Sequence, residues 1–217
     1  MTDDDIYVPL RRQALRAMVA LPLGLAAGAA AAQAPARRAP AGNLATRLDI
    51  LESKDRITEV LYAYARSNDR LDEALLRSCF WPESTHKHGG FSGKSSDFAG
   101  FAIKIIGGLR YAAHHISNVS VEVRGNRAFS ECYYFAHHRR AAKEGGGEED
   151  AFFEGRYLDR HERRGGEWRI IQRRGLSDFS TVVPAKTLHA SWPEGQHSLR
   201  YPDDDYYAMR RAFEAGR

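Results

Sequence analysis

LATRLDILESKDRITEVLYAYARSNDRLDEALLRSCF, residues 44–80, is the stretch on which the fold turns. Leu44, Leu48, Leu51, Ile57, Val60, Leu61 and Tyr64 recur at the spacing of one helix face, which predicts a long amphipathic helix starting near Leu44. Ser67, Asn68 and Asp69 interrupt that period. Leu71, Leu75, Leu76 and Phe80 then start a second, shorter helix, and Pro82 is expected to close it.

Beyond this helical opening the signals change. Glu83–Gly89 reads as an edge strand, and SSDFAGFAIKIIGGL as a further helix capped by Ser95 or Ser96. HHISNVSVEVRG and NRAFSECYYFAHHRR flank a Gly-Asn turn, and AFFEGRYLDRHERR and EWRIIQRRGLSDF flank Gly165-Gly166, two hairpins separated by the polar loop AAKEGGGEED. RYPDDDYYAMRRAF suggests one short surface helix in the tail. Helices first and antiparallel strands afterwards define an α+β domain with helices packed on one face of a sheet. The hollow between helix and sheet is where such a domain binds small molecules.

The 217 residues are 43% hydrophobic and 28% charged, enough for one domain with a real core. Lys and Arg total 32 against 28 Asp and Glu, a formal +4 with the signs interleaved rather than blocked. That distribution, with no basic stripe or recognition motif, argues against nucleic-acid binding. Residues 1–32 differ from the rest: Arg11-Arg12 precede an apolar, alanine-rich run ending in an A-x-A pattern, which reads as a twin-arginine export signal and a periplasmic destination, the alternative being an uncleaved extension on a cytoplasmic protein. The run is too short for a comfortable membrane span, so no stable membrane insertion is expected once it is removed. Its three Arg and three Asp cancel, leaving the mature charge near +4. Residues 33–43 form a Pro/Ala linker, 44–185 the folded domain and 186–217 a tail. Cys79 and Cys132 have no metal-ligand spacing and read as buried apolar residues, or as a pair in an oxidising compartment.

Three residues carry the chemistry: Tyr64 and Asp69 at the end of the first helix, and His114 opening a strand in an H-x-x-x-N pattern with Asn118. A phenol, a carboxylate and an imidazole can perform general acid–base catalysis with neither metal nor organic cofactor. Each has a plainer reading. Asp69 precedes LDEALL, where Asp is a favoured helix N-cap; Tyr64 alone is a core aromatic; Arg173 alone is a surface strand residue. Strand parity leaves the histidine open. His114 alternates with Ile116 and Asn118, His115 with Val119, Val121 and Val123, so a regular strand with an inward valine face would aim His115 inward. A bulge near the strand start would reverse that. His86 and His88 share a strand face, with His137 or His138 as a third metal ligand, but nothing in the spacing specifies a site.

LESKDRITEVLYAYARSNDRLDEALLRSCF, the H-x-x-x-N opening and R-x-G-G-x-W-R-I-I-x-R together resemble the SnoaL-like branch of the nuclear transport factor 2 superfamily over residues 44–182. The resemblance implies a cone-shaped, curved antiparallel sheet wrapped over the N-terminal helices, a cystatin-like α+β barrel. In catalytic members it implies cofactor-free elimination. By position Asp69 and His114 match the family's dyad, Tyr64 the pocket tyrosine of bile acid 7α-dehydratase, and Arg173 a pocket arginine of hexachlorocyclohexane dehydrochlorinase. His115 and Asn118 are carried as further substrate contacts. The implied function is a dehydratase-like lyase or an isomerase acting on a hydrophobic, cyclic, hydroxylated small molecule, with a dimer or trimer as the assembly. The alternatives are a non-catalytic binder of a hydrophobic ligand and a structural subunit like the small subunit of ring-hydroxylating dioxygenases.

Overall fold

The structure, a computed structural model, describes residues 43–191, 193 and 195–216. The stretch expected to be an export signal, residues 1–32, and nearly all of the expected 33–43 linker lie outside the described residues. The order of elements is α1 (Leu44–Arg70), α2 (Glu73–Ser78), β1 (Phe80–His88), β2 (Phe91–Lys94), α3 (Ser95–Gly107), β3 (Tyr111–Arg124), β4 (Arg127–Ala141), β5 (Glu148–Arg164), β6 (Glu167–Pro184), a 3-10 turn (His189–Ser191) and α4 (Asp205–Glu214). The class is α+β, as expected: helices followed by one curved, unclosed sheet in the order β2-β1-β6-β5-β4-β3.

The first helix runs through the residues expected to break it. Ser67 Oγ and Asn68 Nδ2 both donate to the carbonyl of Tyr64, at 2.7 and 2.8 Å, so these polar side chains are satisfied by the helix they were expected to end. The true stop is Leu71, left-handed at φ 56°, with the amide of Asp72 reaching back to Ser67 O at 2.9 Å. Asp69 therefore does not cap α2. Asp72 does, accepting from the amide of Leu75 at 2.9 Å. Pro82 lies inside β1 instead of closing a helix, and α3 begins after Lys94 with no side-chain cap.

β1 is not the sheet edge. It pairs antiparallel with the short edge strand β2 and parallel with β6, Phe80 opposite Ile170, so the sheet is mixed. Both expected hairpins are present. Gly165 and Gly166 take φ of 58° and 87°, the paired positive values a two-residue turn demands and side chains resist. The inner face of the sheet packs on α1 and α3 around Leu61, Tyr64, Leu76, Phe80, Phe98, Cys132, Tyr157 and Ile170. Cys79 and Cys132 are both buried there as free thiols.

β3 carries the decisive irregularity. Its register against β4 shifts between Ser117 and Ser120, and Asn118 sits at φ 50°. The inserted residue changes the phase of the strand. Val121 and Val123 pack inward against Ile57 and Trp168, Val119 and Ile116 pack on the main core, and the same face continues to His114. Among the described residues no helix is long and apolar enough to cross a membrane.

Candidate active site

Asp69 leaves the last turn of α1 facing the start of β3 and grips His114 at two points. Its Oδ2 accepts from the His114 backbone amide at 3.1 Å, and its Oδ1 lies 2.6 Å from His114 Nδ1. A carboxylate can only accept, so Nδ1 carries the proton. With Nδ1 as the donor, the tautomer of the neutral form leaves Nε2 unprotonated, as a general base requires. The side chains are 10% and 22% exposed, which limits competition from water.

A band of further imidazoles lies beyond His114. The His138 ring meets it edge to face at 5.2 Å between centroids, and His138 Nε2 is buried without a hydrogen-bond partner among the described residues. Burial, reinforced by the neighbouring His114, pushes the pKa of His138 down to about 3. His88 falls to about 4, from burial first and then from Arg173 and His114. His86, stacked on Phe98 at 3.5 Å, is pushed to about 2 for the same leading reason. These rings are neutral near pH 7. Gly175 makes room for one of them: a Cβ there would stand 2.5 Å from the His88 ring.

Tyr64 and Arg173 form a separate, deeper group. Arg173 is fully buried, its Nε and Nη2 bonded to Asp159 at 2.8 and 2.5 Å. Its guanidinium lies 3.9 Å above the Tyr64 ring and 4.3 Å from Tyr157. Burial opposes its charge, but Asp159 outweighs burial and raises the pKa further. Burial likewise raises the Tyr64 phenol, against the pull of Arg173. Arg173 is thus no surface strand residue. One donor, Nη1, has no partner among the described residues.

The structure joins Asp69 to His114 and Tyr64 to Arg173, and the His88 ring lies 5.4 Å from that of Tyr157 beside the second group. It does not bring His115 or Asn118 to either. His115 is exposed on the opposite strand face, its ring near Phe135, and Asn118 is exposed in the bulge. The inward aim of His115 rested on a regular strand, which the bulge removes, and Asn118, carried from the resemblance, is the bulged residue itself. His138 was legible only as one metal-ligand candidate. The signal for its inward aim is the alternation Ala128, Ser130, Cys132, Tyr134, Ala136 along the buried face of β4. His86 and His88 have ring centroids 6.3 Å apart, and among the described residues no group of three or more His, Cys, Asp or Glu is placed to hold a metal ion.

A helix-backed curved sheet with a carboxylate–imidazole pair at one end and an arginine–tyrosine group within defines a small α+β domain built around an enclosed polar band. The family model described as SnoaL-like domain matches residues 49–174, and the chain belongs to that family. Among solved structures the chain is similar to a candidate scytalone dehydratase from Novosphingobium aromaticivorans, at 20% identity, covering 70% of this chain and 99% of that one with a TM-score of 0.55. It is also similar to the type-3 hexachlorocyclohexane dehydrochlorinase of Novosphingobium barchaimii, at 20% identity, 67% and 99% coverage and a TM-score of 0.57. At such identity the likeness is one of fold. No curated protein matches the chain.

Proposed function

We propose that this protein is a cofactor-independent lyase or isomerase acting on a hydrophobic, cyclic, hydroxylated small molecule, with Asp69 and His114 as its acid–base pair. The observation that carries the reading is the two-point grip of Asp69 on His114. A pure binding module has no need of a fixed tautomer, and a distant or solvent-facing imidazole would have favoured that alternative. The dehydratase and dehydrochlorinase named among the fold neighbours support elimination as the reaction type.

In this reading His114 Nε2 takes a proton from a carbon of the substrate, and Asp69 stabilises the imidazolium that forms. The bond from the neighbouring carbon to its hydroxyl oxygen breaks as the new double bond forms. The hydroxyl departs with a proton returned from the imidazolium, so water is lost and the protein ends unchanged. Arg173 Nη1 is a donor for an oxygen that gains charge during the step. Its partner Asp159 already neutralises it, which favours an uncharged substrate oxygen over a carboxylate.

The test is a panel of cyclic β-hydroxy ketones followed by the absorbance of the conjugated product. His114→Ala is expected to reduce turnover by about 10²–10⁴-fold while the circular dichroism spectrum stays unchanged. Turnover unaffected by that substitution would refute the assignment.

A further inference from the structure

The chain continues past the end of the family match, and its last segment returns to the candidate site. The amide of Tyr201 donates to Arg70 O at 2.8 Å, one residue beyond Asp69. Arg70 reaches Asp204 at 3.5 Å and lies 5.0 Å from the Tyr206 ring, and Tyr207 Oη donates to Asp72 Oδ2 at 3.0 Å. On the other side Arg200 donates to the carbonyls of Ile106, Gly107 and Leu109 at 3.3, 3.4 and 2.9 Å, closing the C-terminal end of α3. The segment thus bridges α1 and α3 across Asp69. Between them lies a cavity of about 160 Å³ with Asp69 and Ala113 on the domain side and Leu199, Arg200 and Asp204 on the other.

What holds this segment is almost wholly polar. α4 has no buried residue, and Leu199, Tyr201, Met209 and Phe213 are all exposed. Asp72 and Asp204 are buried in these contacts, but part-buried hydrogen bonds still contribute little each in net terms, and segments with few buried apolar contacts open at a fraction of the global cost.

We propose that residues 198–214 are a strap that closes the Asp69 side of the candidate site and lifts as a unit to open it. Closed, it narrows the approach to the carboxylate that orients His114, leaving the Asp69 side chain 22% exposed; open, it exposes Asp69 and the space beside it fully. The proposal rests on the Asp69–His114 reading only for its purpose, because the strap's motion is measurable without turnover.

The experiment uses the full chain. Hydrogen exchange followed by mass spectrometry should show the amides of Tyr201 and α4 exchanging together, roughly a hundredfold or more faster than those of β4 and β5. Arg200→Ala should speed that block by about tenfold or more, as loss of a charge-assisted contact implies. It should raise the rate at which diethyl pyrocarbonate modifies His114 by a similar factor, with exposed His115 as the internal standard. Should Arg200→Ala fold poorly, Tyr207→Phe should give a smaller rise in the same two rates. Strap amides as slow as those of the sheet would overturn the proposal. So would faster strap exchange with His114 reactivity unchanged. Neither outcome touches the dyad chemistry, which the His114→Ala assay decides.

Discussion

Asp69→Asn separates the role of the carboxylate from that of its shape. The amide is isosteric, so its oxygen can keep the 3.1 Å bond from the His114 amide. Its NH₂ group then occupies the place of Oδ1, 2.6 Å from His114 Nδ1, and can only donate there. The imidazole must answer by moving its proton to Nε2, which ceases to be a base. The lost charge-assisted bond should cost about 1.5–3 kcal/mol of stability. For a domain of this size that is roughly 3–12 °C in Tm. Turnover should fall by about 10⁴-fold, as a wrong tautomer does in a serine-protease triad. The ¹⁵N resonances of the His114 ring report the tautomer directly, with no substrate present, and should interchange between the native chain and the variant. Nδ1 still protonated in Asp69→Asn would refute the reasoning, because the proton's position would then not depend on the carboxylate.

Asp159→Ala leaves the fully buried Arg173 guanidinium unpaired and should cost about 3–5 kcal/mol in urea unfolding, whereas Asp159→Leu combined with Arg173→Met should cost far less; a loss below about 1 kcal/mol for the single variant would contradict the pairing. His86, His88, His138 and His161 are held neutral by burial, at about 2, 4, 3 and 4 against 6.5 in the unfolded chain. Below pH 6.5 the unfolded state binds protons that the folded state refuses, so stability is complete above that pH and falls as pH drops toward 4. The slope is about 1.4 kcal/mol per pH unit for each ring, and urea titrations at pH 7.5 and 5.5 check it. Export of the chain through the signal read in residues 1–32 predicts a mature N-terminus near Gln33 in the periplasmic fraction, and an intact Met1 there would exclude it.

The long first helix and both hairpins were legible because apolar spacing and glycine turns report local geometry. The site was less so, because two bulges moved it. Counting back from the Gly165-Gly166 turn sets Arg164 opposite Glu167 and would set Asp159 opposite Gln172. The irregularity between Arg160 and His161 moves Asp159 opposite Arg173 and creates the buried ion pair. On β3, counting from the Gly125 turn would set His114 opposite His137, and the bulge at Asn118 sets it opposite Ala136 on the buried face. Each shift reverses which side chains meet the interior, and neither has a signature in a hydrophobic pattern. The plainer reading of Asp69 as an N-cap fails because the Ser67 and Asn68 bonds that carry α1 past it depend on burial against the sheet.

The parallel pairing of β1 with β6 has a consequence for how the molecule comes into being. Phe80 finds its partner at Ile170, across some ninety intervening residues, while the β3–β4 and β5–β6 pairs form from neighbours in the chain. Loop closure of that span is costly until the two hairpins already present a strand to receive it, so β1 should join late. His86 and His88 ride on β1. A nascent chain therefore cannot complete its interior until nearly the whole domain has left the ribosome, and contact order makes assembly of the imidazole band a closing step of folding.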